Sequence, residues 1–148
     1  MNEGSPHRVI WPHELLARYK LDADTKLFLS TVGLPEFIPG MTIEFGVFDS
    51  DGPDLIIGED YGLPIYIDST SGAVFEARES TAERCFINSS ARLLSRFIQM
   101  IVFDAPHDSG SWAEQVREQL LALDLAALDD SSHCLWPFII DRFEINLS

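Results

Sequence analysis

The sequence predicts a single α+β domain whose central antiparallel sheet, of about four to six strands, is flanked by N-terminal and C-terminal helices. Three observations support this prediction. The chain has 148 residues, a usual length for one domain, and 46% of them are apolar, enough for a substantial core. Helical periodicity occupies both ends of the chain, and short alternating segments occupy the middle. We therefore treat residues 1–148 as one domain, with residues 1–10 as a candidate flexible segment.

Two helices are predicted near the N-terminus. The first begins at Trp11-Pro12, because proline suits the first helical position. The second spans Leu21–Val32, and either Asp22 or Asp24 can cap its exposed amide groups. It ends at Gly33, since glycine readily adopts the left-handed backbone conformation that stops a helix.

The middle of the chain has the pattern of an antiparallel meander. Short segments of alternating apolar and polar residues are separated by turns rich in Asp, Ser and Gly, and such short connections join antiparallel strands. The predicted strands are Met41–Val47, Leu55–Glu59, Leu63–Asp68 and Ala73–Arg78. Cys85–Ile87 is either a further strand or an extended lead-in to the next helix.

Helical patterns return after the sheet. Asn88–Ser90 provides N-cap residues for a helix with an apolar stripe at helical spacing. Ser111–Glu114 fits a capping box that would begin another helix. A final helix, begun by Ser131 or Ser132, is predicted for the tail. Helices, then strands, then helices is the order typical of an α+β domain rather than of a parallel βαβ fold.

The chain is strongly acidic, with a formal net charge of −14 at pH 7. No basic residue occurs between Lys26 and Arg78, a stretch that holds nine acidic residues: Glu36, Glu44, Asp49, Asp51, Asp54, Glu59, Asp60, Asp68 and Glu76. Such a surface repels the phosphate backbone of nucleic acids and speeds encounter with a basic protein. We expect no nucleic-acid partner, although the acidity can equally serve solubility alone.

The sequence offers no recognisable catalytic or metal-binding grouping. Its four histidines are scattered, and neither C-x-x-C nor H-E-x-x-H occurs. The acidic turn Asp49–Asp54 would place Pro53 and Asp54 where a calcium loop requires a ligand and a glycine. It also has no G-x-S-x-G elbow and no glycine-rich phosphate loop. Paired carboxylates for acid–base catalysis stay open, but we predict a protein that is not an enzyme and has no catalytic residue, metal or cofactor.

The sequence also predicts a compartment. It shows no targeting signal, and no apolar run approaches the roughly 18 residues that a membrane helix needs. The predicted location is therefore the cytoplasm, with no membrane partner. Because disulfides are rare there, Cys85 and Cys134 are expected to be buried free thiols.

Several segments carry a family resemblance when they are taken in order. They are Lys26–Pro35, which ends in Gly-Leu-Pro, then Leu55–Gly58, Ile65–Val74, Phe86–Ser90, and Leu123–Asp130 followed by Trp136. In this order they resemble the SUKH superfamily, and the tail is similar to its bacterial subgroup of immunity proteins from polymorphic toxin systems. The matches run over about residues 11–142, nearly the whole chain. The resemblance implies an α+β fold with a central antiparallel sheet, and binding in place of catalysis.

The resemblance also implies a function. An immunity protein of this kind would bind a cognate bacterial toxin domain, often a nuclease or deaminase in related systems, and neutralise it by occluding its active site. One alternative is a non-catalytic adaptor of the same superfamily, and another is an uncharacterised hydrolase. A monomer and a homodimer both stay open, since an exposed strand edge can pair two copies.

The predicted toxin-binding residues lie in the acidic middle of the chain. Nucleases present basic clefts for phosphate, and an acidic surface can mimic that polyanion. We define the acidic patch as Glu44, Asp49, Asp51, Asp54, Glu59 and Asp60, and add Tyr61 as an aromatic anchor. Each of these residues can instead be an ordinary solvated turn or hairpin residue.

Overall fold

The structure is a computed structural model, and it describes residues 7–38, 42–48, 52–77, 84–104, 112–124 and 136. It contains a five-stranded antiparallel sheet and a two-stranded sheet, with helices before and after the larger one. The predicted α+β class is therefore confirmed. The predicted final helix from Ser131 or Ser132 lies outside the described residues, apart from Trp136.

The helices begin and end close to the predicted positions. They are α1 (His13–Leu16), α2 (Ala23–Thr31), α3 (Ala91–Ile98) and α4 (Trp112–Leu123). Asp22 caps α2, because its Oδ2 accepts from the backbone N–H of Thr25 at 3.1 Å. Ser90 caps α3 in the same way, accepting from Leu93 N at 3.1 Å. Gly33 has a φ of +72°, so the left-handed stop of α2 is confirmed.

The strands form a short pair and a meander. They are β1 (Arg8–Val9), β2 (Leu34–Pro35), β3 (Ile43–Phe45), β4 (Leu55–Asp60), β5 (Leu63–Ile67), β6 (Val74–Ala77) and β7 (Arg84–Asn88). The main sheet has the order β3-β4-β5-β6-β7, and each neighbouring pair is antiparallel. The strand alternative for Cys85–Ile87 is therefore the correct one.

Two features are absent from the sequence prediction. The antiparallel pair of β1 and β2 involves only two residues on each strand, too few for alternation to be visible in the sequence. Arg8 strengthens this contact, since its Nη2 donates to Gly33 O at 2.8 Å at the end of α2. The second feature is the π-helical segment Gln99–Asp104, which continues α3. An apolar stripe at helical spacing does not distinguish one helix type from the other.

The core lies between the helices and one face of the main sheet, which we call the inner face. The inner-face side chains in this core are Ile43, Phe45, Leu55, Ile57, Ile65, Ile67, Val74 and Ile87. The helical and N-terminal segments contribute Trp11, Leu16, Phe28, Leu29, Leu94 and Phe97, among others. Burying these apolar side chains is the main favourable contribution to folding and holds the sheet in a fixed position beneath the helices.

The prediction of free thiols is wrong for Cys85. This residue is buried in β7 and is disulfide-bonded. The prediction relied on the expected compartment, whereas disulfide formation depends on how close two Cβ atoms lie, which a sequence does not reveal. Cys134, the other cysteine of the chain, lies outside the described residues.

Candidate functional site

The face of the main sheet opposite the core, which we call the outer face, is the candidate site. Directly opposed residues of neighbouring strands share a face, and successive residues alternate between faces. The registers and burial pattern place on the outer face Glu44, Ile56, Glu59, Pro64, Tyr66, Phe75, Ala77, Arg84 and Phe86. These side chains are half-buried or exposed, in contrast to the buried inner-face residues.

An aromatic row crosses the outer face. Tyr66 lies opposite Phe75, and Phe75 lies opposite Phe86. The rings of Tyr66 and Phe75 stack with their centroids 6.1 Å apart, and those of Phe75 and Phe86 meet edge to face at 5.5 Å. Such ring pairs each contribute about 0.5–1.5 kcal/mol beyond the area they bury. The row therefore stiffens the part of the sheet that does not face the core.

Arg84 lies on β7 at the edge of the outer face. Its positive charge is paired with a carboxylate of the same chain. Its guanidinium lies 3.6 Å from the centroid of the Phe75 ring, and its Nη2 lies 3.1 Å from Asp68 Oδ2. The backbone N–H of Thr70 and the charge of Arg84 hold the pKa of Asp68 below its ordinary value. Hydrogen bonding with Tyr66, together with the charge of Asp68, raises the pKa of Arg84. This basic group is thus engaged with its own neighbours.

The acidic side of the outer face contains a pair of like charges. Glu44 on β3 lies directly opposite Glu59 on β4, so the two side chains share a face. Glu44 is exposed and Glu59 is half-buried. Like charges in directly opposed positions destabilise a sheet. The sequence predicts both residues as binding residues, but it does not reveal that they face each other.

The other acids of the acidic patch are more dispersed. Asp54 precedes β4 and its Oδ1 accepts from Ser69 N at 2.8 Å, whereas Asp60 ends β4 and accepts from the Thr42 hydroxyl. Because a strand rises about 3.3 Å per residue, the backbone positions of these two acids lie roughly 20 Å apart. Asp49 and Asp51 lie outside the described residues. Asp54, Glu59 and Asp60 are therefore spread along β4 and the turn before it, whereas Glu44 lies on β3. The described acids do not form one compact cluster.

Tyr61 lies at the tip of the hairpin between β4 and β5. It has a φ of +52° and Gly62 has a φ of +84°, as in the two-residue type I′ turn of tight hairpins. Tyr61 is 84% exposed, so its ring projects into solvent. The left-handed conformation costs a non-glycine residue about 1–2 kcal/mol, and Asn, Asp or Gly normally occupies this position. A tyrosine at this position therefore lowers the stability of the fold, and its exposed ring gains no packing in return.

A pocket of about 220 Å³ opens on the outer face beside the start of β4. Its lining residues are Gly52, Pro53, Asp54, Ile56, Pro64, Tyr66 and Ala77. Most of these side chains are apolar, and Asp54 is the charged member. Sequence reasoning missed this pocket, because its wall brings together residues from three strands and a loop.

A buried polar network lies at the junction of β7 and α3. Trp136 Nε1 donates to Asn88 Oδ1 at 2.7 Å, and Asn88 Nδ2 donates to Asp124 Oδ2 at 3.1 Å. Ser89 donates to Asp124 through its backbone N–H at 2.8 Å and through its hydroxyl at 2.7 Å. The carboxylate thus holds the start of α3 to the end of α4, and this structural task accounts for the proximity of Ser89 and Asp124.

Two kinds of feature are absent from the described part of the chain. Over these residues, no group of at least three His, Cys, Asp or Glu side chains is arranged to hold a metal ion. Within the same ranges, no helix is both long enough and apolar enough to cross a membrane.

The fold and this surface define a class of protein: an α+β domain with helices on one side of an antiparallel meander and a partly apolar, acidic outer face. The chain matches the SUKH-4 immunity protein family over residues 3–142 and belongs to that family. The resemblance found in the sequence is thereby confirmed, and membership implies a cognate toxin partner. No curated protein and no solved structure matches this chain.

Proposed function

We propose that this protein binds the catalytic domain of its cognate toxin through the outer face and the acidic patch, and neutralises the toxin by occluding its active site. The toxin is a nuclease or a deaminase with a basic substrate cleft, and the acidic side chains take the place of its polyanionic substrate. The protein itself performs no catalysis and needs no cofactor.

The observation that supports this proposal best is the opposition of Glu44 and Glu59. The two acids repel each other in the free protein, and a cationic partner surface would remove that repulsion on binding. Electrostatic attraction of this kind raises association rates by about 10 to 1,000-fold and weakens with salt. The arrangement fits a basic partner better than a neutral one.

The proposal includes a compartment and an oligomeric state. We place the complex in the cytoplasm and expect the protein to act as a monomer or a homodimer, with neither nucleic acid nor membrane as partner. The disulfide at Cys85 is more typical of oxidising compartments. Because Cys85 is buried, thiols are alkylated while the cells are denatured, and the Cys85 peptide is then analysed by mass spectrometry. An alkylated Cys85 would support the cytoplasm, and a disulfide-linked Cys85 would support an oxidising compartment.

The test is coexpression with the C-terminal domain of the nearest large secreted protein encoded beside this gene. Survival and copurification at two salt concentrations are scored for the wild type and for the Glu44→Gln/Glu59→Gln variant. The matched control is Glu14→Gln/Glu118→Gln, which removes the same charge from exposed positions on α1 and α4.

The proposal would be supported if the wild type restores the survival of toxin-producing cells and forms a complex with the toxin domain that weakens with salt. The control variant should protect the cells as well as the wild type does, and the Glu44/Glu59 variant should protect them less. If the Glu44/Glu59 variant and the control variant protect equally well, the charges of Glu44 and Glu59 do not contribute to toxin binding. A wild type that folds but neither protects nor copurifies would favour an adaptor function within the same superfamily.

A further inference from the structure

The pocket on the outer face has the size of a single side chain. Its volume is about 220 Å³, whereas pockets for small-molecule ligands usually measure about 300–1,000 Å³. It lies on the rigid sheet beside the aromatic row, since Tyr66 belongs to both. A preformed cavity of this kind suits an anchor residue of a protein partner, because interface energy concentrates in a few side chains that fill pockets.

The chemistry of the pocket wall is apolar with an acid at its edge. Ile56, Pro64 and Ala77 offer aliphatic surface, and Asp54 contributes a carboxylate. One Asp54 oxygen already accepts from Ser69 N at 2.8 Å, but an ionised carboxylate has about four acceptor sites. Glu59 lies directly opposite Pro64, which places a second acid next to the pocket wall.

Charge complementarity selects the occupant. Among the described residues, Arg84 lies opposite Ala77 of the pocket, but its guanidinium pairs with Asp68 at 3.1 Å. Asp54 is the charged side chain in the pocket wall. Lysine and arginine side chains combine a long aliphatic stem with a cationic end, and they bury the stem while the charged end stays at a polar edge.

We infer that this pocket receives one lysine or arginine side chain of the toxin, with its stem against Ile56 and Pro64 and its charged end at Asp54. The inference rests on the proposed function, since the side chain belongs to the cognate toxin. It goes further by assigning the anchor of the complex to the pocket, which lies on the outer face away from the hairpin tip.

The pocket is tested by filling it and by neutralising its edge. Ala77→Leu introduces an aliphatic side chain where the anchor would lie, and Ala122→Leu makes the same change at an exposed position on α4. Asp54→Asn removes the charge but keeps an oxygen that can accept from Ser69 N. Each variant is first checked for folding by circular dichroism, and its affinity for the toxin domain is then measured by calorimetry.

Ala77→Leu should weaken toxin binding by about 30-fold or more, the loss expected when an anchor pocket is blocked. Asp54→Asn should weaken it by about tenfold and should reduce its dependence on salt. Ala122→Leu should bind like the wild type. If Ala77→Leu does not fold, Asp54→Asn decides alone. Wild-type affinity for folded Ala77→Leu and Asp54→Asn would overturn the inference and leave the proposed immunity function intact.

A second measurement is independent of the toxin. N-acetyl-arginine methylamide is titrated into the ¹⁵N,¹³C-labelled protein, with N-acetyl-norleucine methylamide as the uncharged control. Shifts confined to Ile56, Tyr66 and Ala77, larger for arginine and lost in Ala77→Leu, would support the pocket even if the tested toxin domain does not bind. If the tested toxin domain does not bind and these residues show no shifts, the inference about the pocket is overturned independently of the proposed function.

Discussion

Asn88 donates to the carboxylate of Asp124 across 3.1 Å and so connects the last residue of β7 with the residue that follows α4. Asn88 is fully buried and Asp124 is 5% exposed, so neither can exchange this bond for one with water. Because Ser89 N also donates to Asp124, the carboxylate lies at the N-terminal end of α3, where the helix dipole favours a negative charge.

Replacing Asp124 by alanine should therefore destabilise the protein by about 3 kcal/mol, because the buried Asn88 amide would lose its acceptor and the start of α3 would lose its link to α4. Asp124→Asn keeps one acceptor oxygen and should cost roughly half as much. Urea unfolding followed by tryptophan fluorescence measures both. Equal stability of the wild type and Asp124→Ala would contradict a structural role for the network.

Two glycines with positive φ allow a matched comparison of backbone effects. A Cβ at Gly33 would lie 2.0 Å from Val9 O, whereas a Cβ at Gly62 would meet nothing within 4 Å. Gly33→Ala should therefore cost at least about 2 kcal/mol, from the left-handed conformation and the collision together. Gly62→Ala should cost only about 1 kcal/mol. Chemical denaturation distinguishes them, and similar losses would show that the contact of Gly33 with β1 is unimportant.

The contrast between these features explains how much the sequence could predict. Asp22 and Gly33 act on the backbone within a few residues of themselves, so their cap and stop functions are visible as local chemistry. The opposition of Glu44 and Glu59 depends on strand register, which no short pattern specifies. The pocket depends on three strands and a loop and is equally invisible. The acidic patch was therefore inferred from composition. Of its described members, Glu44 lies on β3, and the others are spread along β4 and the turn before it.

Acid should destabilise the protein through Asp22 and Asp68. The hydroxyl of Thr25 donates to Asp22 at 2.6 Å and lowers its pKa, and the backbone N–H of Thr70, followed by Arg84, lowers that of Asp68. A depressed pKa in the folded state contributes stability that is present above the unfolded pKa. That stability is lost as the pH falls below about 4 and through the folded values.

The measurement is the thermal unfolding midpoint, followed from neutral pH down to acid pH. Asp22→Asn/Asp68→Asn should be less stable than the wild type at neutral pH, and the difference should shrink as the pH falls. Asparagine is as good an N-cap as aspartate, so α2 should keep its start. If the two proteins lose stability in parallel as the pH falls, these carboxyl groups do not cause the destabilisation by acid.

Tyr61 should show opposite effects on folding and on binding. Tyr61→Asn gives the hairpin the residue that a type I′ turn prefers and should stabilise the free protein by about 0.5–1 kcal/mol. The same change removes an exposed ring and should weaken toxin binding by about tenfold if that ring is an anchor. Tyr61→Phe, which keeps the ring, is the control. Stronger folding with unchanged affinity would exclude Tyr61 from the interface.

The charges of the Glu44–Glu59 pair should also have opposite effects on folding and on binding. Glu44→Gln/Glu59→Gln removes the repulsion between opposed strands and should raise the free energy of unfolding by a few tenths to about 1 kcal/mol at low salt. The gain should shrink at high salt, because exposed charges are screened within about 10 Å at 0.1 M. Stopped-flow mixing with the toxin domain should show slower association for the variant and a flatter dependence on salt.

The control for this last comparison is Glu14→Gln/Glu118→Gln, whose positions are exposed on two different helices. It changes the net charge by the same amount, so a general charge effect would slow both variants alike. A selective effect of the sheet pair would mean that the cost of keeping two acids opposed in the free protein is recovered in the complex. A variant that is neither more stable nor slower to associate would leave Glu44 and Glu59 as ordinary surface residues.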